Sequence, residues 1–341
     1  MVRTAPKVAI VLATWNGGQF LPDQLRSIQR QTFTDWQLWV RDDGSDDATC
    51  ELLQSFAAAD SRMHIVRDDL GRLGCPRNFG ELLRHVSGNQ PEYVFLADQD
   101  DVWLPHKLAR LLAVAQAAER ETGLDRPLLV HSDVTVVDAN LKPVHASLVR
   151  HLGVRPQTPQ PLRTLLVQNF VTGCATVINR ALLELVLPFP DTVVLHDWWL
   201  AQCAAAVGEL RFVPEPLVMY RQHASNQVGS RSTWRKLATI ATSGWQGFRD
   251  QQEVLLRGVA QARSLKQRLR DRFASDSIRL PTDTLGGYLD LFEPHHSRWH
   301  RPGRLLNLRI GRQMWLKQAA LLVQVGLLPH DGERANDGRA A

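Results

Sequence analysis

Cysteine is scarce here: four in 341 residues, Cys50, Cys75, Cys174 and Cys203, with no metal-like pairing and no disulfide framework. That scatter reads as reduced, mostly buried thiols of a cytoplasmic protein and excludes a small cross-linked secreted fold. Long hydrophobic runs are missing as well. The first apolar stretch, KVAIVLATW (7–15), is too short to cross a bilayer. It leads into Asn16-Gly17-Gly18 rather than a small-residue cleavage site, which argues against a signal peptide. No later run reaches the length of a membrane-spanning helix, and there is no internal repeat or low-complexity segment. The 44% hydrophobic content suits a packed core and argues against disorder.

Charge is unevenly placed. The formal net charge is +5, and much of it gathers after residue 230, in RSTWRK, RSLKQRLRDR and HSRWHRPGRLLNLRIGR. The motifs of the body are acidic, so the tail points to an anionic surface as its partner.

Strand-like and helical stretches alternate through the first 140 residues. KVAIVLATW, WQLWVRD (36–42), MHIVRD (63–68), YVFLA (93–97) and PLLVHSDVTVVD (127–138) read as strands. FLPDQLRSIQRQ, GSDDATCELLQSFAAA and PHKLARLLAVAQAAE read as helices, the last with Pro105 near its first turn, where a missing N–H is harmless. This rhythm predicts an α/β fold with a Rossmann-like, mainly parallel sheet flanked by helices. After the Pro-rich RPQTPQP (155–161), a second block carries VTGCATVI, a helix from HDWWLAQCAAAVG, and LRFVPEPLVMYRQH. From about residue 230 the pattern is helical, basic and loosely amphipathic. The expected organisation is one domain over 1–228, with halves meeting near residue 140, and a helical extension over 229–341.

In a parallel sheet, ligands gather at the carboxyl ends of the strands, and that is where the acids stand. LADQDDVW (96–103) sets Asp98, Asp100 and Asp101 at the close of a buried strand. Like charges this close repel and are costly to desolvate, so they call for a positive partner. A hard divalent cation, Mg²⁺ or Mn²⁺, takes carboxylate oxygens and keeps positions open for phosphate. The plainer alternative is a solvated loop whose acids cap the next helix. VRDDGSDDAT (40–49) is ordinary turn chemistry by itself. Beside ATWNGG, however, it forms a cleft where Asp42 or Asp43 would accept from a base N–H, with Thr14 nearby. Asp133 lies within the fifth strand region and adds to the acidic rim.

Two further motifs lie in the second block. Asp197 opens an apolar helix in LHDWWLA (195–201), either as a cap favoured by the helix dipole or as a general base toward an acceptor hydroxyl. Trp198 and Trp199 are core residues in the plain reading and sugar platforms in the functional one. YRQH (220–223) places Arg221 and His223 after a strand, where they would complete a metal site or meet a diphosphate.

In this order, VLATWNGGQFLPDQLRSIQRQTFTDWQLWVRDDGSDDAT, LADQDDVWLPHKL, TGCATVINRALL, HDWWLA and YRQHASNQVG resemble the family 2 glycosyltransferases, over about residues 6–228. These are GT-A-type transferases that use nucleotide-diphospho-sugars. DQDDVW, TGC, HDWW and YRQH are similar to the rhamnosyltransferase-type members that build bacterial surface polysaccharides. The resemblance implies that Asp43, with Asp42, meets a uracil or thymine, and that Thr14 and Asn16 lie beside the nucleotide-sugar. Asp98 and Asp100 become the Asp-x-Asp pair for metal and ribose-diphosphate, with Asp100 the direct ligand, His223 completing the set and Arg221 at the diphosphate. Asp197 becomes the base of an inverting transfer, and Thr172, Gly173, Trp198 and Trp199 face the acceptor. The implied reaction moves one sugar, with dTDP-rhamnose the favoured donor, onto a glycan carried by a polyprenyl diphosphate in O-antigen or capsule synthesis. A processive synthase would carry Gln-x-x-Arg-Trp where YRQH stands, so a polymerising activity is not expected.

A lipid-linked acceptor would keep the protein at the inner face of the cell membrane. RLLNLRIGRQMWLKQAALLVQVGLLP (304–329) has the composition of a helix lying among headgroups. Packing on the catalytic domain, or on a second copy in a homo-oligomer, is the competing reading. A sugar nucleotidyltransferase would carry a Gly-rich basic loop after the first strand, and TWNGGQF has no Lys or Arg. A noncatalytic sugar- or nucleic-acid-binding module is prompted by the basic tail and ten tryptophans. Its weakness is an acidic rim that repels phosphate without a metal, so nucleic acid is not an expected partner.

Overall fold

A computed structural model describes residues 7–223, 233–273, 282–293 and 297–328. Two compact units emerge, one of Met1–Leu152 with Val171–Gly229, the other of Gly153–Phe170 with Ser230–Ala341.

Among the described residues the first unit holds nine strands: β1 (Val8–Thr14), β2 (Trp36–Asp42), β3 (Met63–Ile65), β4 (Tyr93–Ala97), β5 (Val102–Trp103), β6 (Leu128–Val137), β7 (Pro143–His145), β8 (Thr176–Asn179) and β9 (Glu209–Arg221). Its helices are α1 (Leu21–Gln29), α2 (Thr49–Ala59), α3 (Cys75–Ser87), α4 (Lys107–Thr122), α5 (Leu148–Leu152), α7 (Arg180–Val186) and α8 (His196–Val207); α6 (Pro161–Leu165) belongs to the other unit. The sheet runs β3-β2-β1-β4-β8-β6-β9-β5, with β7 on β6. From β3 to β4 every pairing is parallel, as the alternating pattern predicts. All five residues of β4 are buried, which a parallel strand covered on both faces requires.

Beyond β4 the sheet turns mixed. β8 is antiparallel to both β4 and β6, β9 is parallel to β6, and β5 is antiparallel to β9. The expectation of a mainly parallel sheet therefore holds for the first half only. β6 is buried at nine of its ten positions, and a continuous buried run has the same appearance whichever way its neighbours point. The α3 helix has no counterpart in the sequence reading; Pro76 in its first turn and Phe79, Leu82, Leu83 and Val86 on its buried face account for it.

The second unit contains α6, α9 (Thr233–Phe273), α10 (Thr282–Asp290), α11 (Arg301–Asn307) and α12 (Trp315–Leu327). Leu255, Val259, Ala262 and Leu269 form a buried stripe on α9 at helical spacing. RPQTPQP folds with these helices rather than dividing two blocks. Gln313 Nε2 donates to Arg155 O at 2.7 Å, and the Gln313 N–H donates to Gln168 Oε1 at 3.0 Å. The stretch 304–328 is two helices, broken at Leu308–Met314, where Arg309 takes φ 53°; Pro329 and the side chains of RSTWRK lie outside the described residues. Among the described residues no helix is long and apolar enough to cross a membrane.

Candidate active site

The ends of β1, β2, β4 and β9 and the start of α8 surround a cavity of about 470 Å³, the size of a small-molecule site. Its walls include Thr14, Asn16, Asp43, Asp98, Asp100 and Asp197, together with Thr172, Gly173 and His223. Acids far apart in the chain thus share one space.

The rim is knitted before any ligand arrives. Asp42 Oδ1 accepts from the Thr14 hydroxyl at 2.9 Å and the Ser45 hydroxyl at 2.6 Å, while Oδ2 accepts from the Gly44 and Ser45 N–H groups. Asp42 is therefore a turn-building residue and lies off the cavity wall. Asn16 is tied up similarly: its amide donates to Asp46 Oδ1 at 2.7 Å and its carbonyl accepts from the Asp46 N–H at 2.9 Å. Asp43 lines the cavity and is held by Arg41 at 2.8 Å and by the Leu73 and Gly74 N–H groups, each at 2.7 Å. Those bonds fix the loop before α3 over the end of β2.

Gln99, quoted within its motif but given no role there, clamps the first loop. Its Oε1 accepts from the Trp15 N–H at 2.8 Å and its Nε2 donates to Trp15 O at 2.9 Å. The approach is so close that a Cβ on Gly17 would stand 2.3 Å from Gln99 Oε1. A side chain at position 17 would push Gln99 out of this clamp.

The acidic cluster divides into an open and a buried part. Asp100 meets His223 at 2.8 Å, and both side chains are mostly buried in the cavity wall. Burial, with Asp100 and Asp197 close by, pushes the Asp98 carboxyl up to about 7. Behind them Asp101 and Cys174 are fully buried, and their ligand atoms lie within 4.8 Å of one another and of Asp98. Burial raises both of these groups and lowers Lys107, which is also wholly inside. Lys107 Nζ donates to Cys174 O at 2.5 Å and sits 3.1 Å above the Trp103 ring. A protonated soft thiol is a poor ligand for a hard cation. The open donor set of Asp98, Asp100 and His223 does fit a divalent cation: hard oxygens, one imidazole, and carboxylates crowded together in one cavity wall.

Arg221 departs from its expected role. Its guanidinium is 2% exposed and donates to Asp100 O at 2.7 Å, Ala139 O at 2.5 Å and Asp23 Oδ2 at 3.0 Å, while its backbone N–H donates to Asp101 Oδ1. It braces the DQDD loop from behind and does not reach the cavity. Trp198 and Trp199 are likewise interior, and the Trp199 indole N–H donates to Val186 O at 3.1 Å. The arc of α8 that carries both indoles packs into the core, so neither offers a face to a sugar. Asp133 accepts from the Ser147 hydroxyl and the Val149 N–H at the start of α5, so it is a cap rather than a rim acid.

Asp197 and its neighbours complete the cavity. Asp197 Oδ2 accepts from the Gly173 N–H at 3.1 Å, which points the carboxylate along the wall. His196, quoted in HDWW but given no role there, stacks on Phe79 with centroids 3.8 Å apart, and burial pulls its imidazole down to about 3. It is neutral at physiological pH. A Cβ on Gly173 would fall 2.5 Å from His196 Nε2, which explains glycine in TGC. Only the adjacency of His196 to Asp197 in the chain could have flagged it.

Residues 9–185 match the profile of glycosyl transferase family 2. The chain belongs to that family. Among curated relatives, this glycosyltransferase is 24% identical to the dTDP-rhamnosyl transferase RfbG of Shigella flexneri over 236 residues, 66% of this chain and 75% of that protein. It is 25% identical over 180 residues to TuaG of Bacillus subtilis, a putative teichuronic acid biosynthesis glycosyltransferase, covering 52% of this chain and 64% of the other. Among solved structures, residues 1–349 of S. aureus TarS in complex with UDP-GlcNAc align with a TM-score of 0.51 at 13% identity, covering 97% of this chain and 92% of that one. That likeness is one of fold, the GT-A architecture of a nucleotide-side parallel sheet extended by mixed strands. Family membership sets aside the nucleotidyltransferase and noncatalytic readings.

Proposed function

We propose that this glycosyltransferase transfers a single sugar from dTDP-rhamnose, with inversion, to a glycan carried on a polyprenyl diphosphate during synthesis of a bacterial surface polysaccharide, O-antigen or capsule. The observation that carries the reading is the shared cavity: Asp98, Asp100 and His223 stand in the same wall as Asp197. The donor assignment draws on the dTDP-rhamnosyl transferase relative, and the polysaccharide assignment on that protein and TuaG.

Asp98, Asp100 and His223 would hold Mg²⁺ or Mn²⁺, which when bound neutralises charge on a departing nucleoside diphosphate. Asp43, just after β2, would meet the base, and Thr172 and Gly173 would border the acceptor; all three line the cavity. Asp197, held by the Gly173 N–H, takes the proton from an acceptor hydroxyl. That oxygen forms its bond to the anomeric carbon as the bond to the diphosphate oxygen breaks and the electron pair leaves with dTDP. One displacement from the opposite face inverts the centre. Phe20, Phe79 and Leu195 line the same cavity and help exclude water that would hydrolyse the donor.

The test is a release assay. Purified protein with Mn²⁺ or Mg²⁺ is offered a panel of nucleotide-sugars, with and without lipid-linked acceptors, and free nucleoside diphosphate is measured. Release from dTDP-rhamnose that is metal-dependent and lost in Asp100→Ala and Asp197→Asn supports the proposal. Release from a UDP-hexose alone overturns the donor, and silence with every donor overturns the reaction.

A further inference from the structure

The α12 helix is turned inside out relative to a helix that faces water. Its exposed positions are Trp315, Leu316, Ala319, Ala320, Val323 and Leu327, none of them polar. At 100° per residue they fall within one arc of about 140°. The polar residues of the same helix are spent within the unit. Gln318 Oε1 accepts from the Arg312 N–H at 2.7 Å, and Gln324, 2% exposed, donates to Gln251 Oε1 at 2.5 Å. Lys317 is half-buried.

The neighbouring turns share the pattern. The 3₁₀ turn Arg298–His300 and α11 both pack on α12, and they leave Trp299 68% and Leu306 51% exposed; Trp315 itself is 77% exposed. Large apolar side chains held out in water are costly unless something covers them. Their charge context narrows what that is. Residues 297–328 contain Arg298, Arg301, Arg304, Arg309, Arg312 and Lys317 and not one Asp or Glu.

We infer that the exposed face of α12, with Trp299 and Leu306, is a docking surface for an anionic lipid bilayer, on which the helix lies flat at headgroup depth. Tryptophan is suited to the boundary between headgroup and acyl chain, and cations beside it meet lipid phosphates. A second copy of the chain fits less well. A two-fold pairing through this face would bring Arg298, Arg309 and Lys317 up to their own copies with no acid in the segment to offset them, while Arg301 is buried against Leu328 O and Arg304 is paired with Asp290. The inference stands apart from the identity of the donor sugar.

The full chain is sedimented with vesicles of phosphatidylcholine alone and of phosphatidylcholine with phosphatidylglycerol, at low and raised NaCl. Binding to the anionic vesicles is expected to exceed binding to the neutral ones by about tenfold or more and to weaken with salt. The triple variant Trp315→Ser/Leu316→Ser/Val323→Ser alters side chains that stand in solvent, so its Tm should match the parent while vesicle binding falls at least about tenfold. Metal-dependent donor cleavage without vesicles should be unchanged, which separates failure of this surface from failure of the transferase reading. Unaltered vesicle binding by the triple variant overturns the inference. So does a fall from dimer to monomer in light scattering with no vesicle binding by the parent, which would assign the face to a second copy.

Discussion

His223 Nε2 and Asp100 Oδ2 stand 2.8 Å apart, joining the chain after β9 to the chain after β4, two strands that have β8 and β6 between them in the sheet. An imidazole that merely filled space would be indifferent to the metal. His223→Ala should lower apparent Mn²⁺ affinity by about 10–100-fold, measured from the metal dependence of donor cleavage, while the Tm without metal shifts little. Equal affinity in parent and variant would remove His223 from the donor set.

Asp197 should act on the chemical step. Asp197→Asn keeps the hydrogen bond from Gly173 but removes the proton acceptor, so kcat should fall by about 10²–10⁴-fold. Donor affinity, read by calorimetry, should stay close to that of the parent, because an interaction made only in the transition state is what has been lost.

Arg221 should behave as a brace. Arg221→Met leaves Asp100 O and Ala139 O without their donor and Asp23 without its ion-pair partner, and destabilisation of about 3–5 kcal/mol is expected in urea unfolding. A residue contacting the diphosphate would instead raise KM for the donor with stability unchanged.

Trp199 offers a similar contrast. Trp199→Ala should cost about 3–5 kcal/mol, as a large side chain is deleted from a core position, and Trp199→Phe less. Neither change should alter KM for the acceptor in the folded fraction.

Acid should weaken the edge of the sheet at Asp60. Hydrogen bonds from Arg62 at 2.8 and 3.0 Å pull the Asp60 carboxyl down from 3.8 to about 2. A carboxyl depressed in the folded state stabilises above its unfolded value and loses that contribution as pH falls through its folded one. Asp60→Asn should therefore destabilise at pH 7 by about 1–2 kcal/mol, discounted for the partly exposed Arg62, and the difference should fade between about pH 4 and pH 2. Chemical denaturation at several pH values tests this.

The nucleotide side was readable because its chemistry is local. Acids follow β2 and β4 at once in the chain, so position along those strands and position in the site coincide. Asp98 and Asp100 were found this way, Asp197 and His223 from the HDWW and YRQH motifs of the second block, and all four line the cavity. Arg221 could not be assigned so easily: an arginine next to a candidate metal ligand has the same pattern whether it faces a ligand or three backbone and side-chain acceptors. Trp198 and Trp199 were ambiguous for a related reason, since the helical phase of an entirely apolar stretch carries no mark of which side meets solvent. Gln99 and His196 act through contacts with residues 84 and 121 positions away. No spacing rule reveals those.

Residues 153–170 also bear on how this chain comes to be folded. Leu162, Leu165, Leu166, Val167 and Phe170 are buried in the helical unit, yet the groups that bond this segment, Arg312 and Gln313, are synthesised some 145 positions later. On the ribosome the segment waits through more than a hundred further residues before its partners emerge, and loops of that span close slowly. For anyone expressing a shortened enzyme, a stop codon near residue 228 would strand a greasy, unmatched segment in the middle of the remaining protein. A fragment that removes 153–170 together with the tail, bridged by a short flexible linker, is the sounder cut.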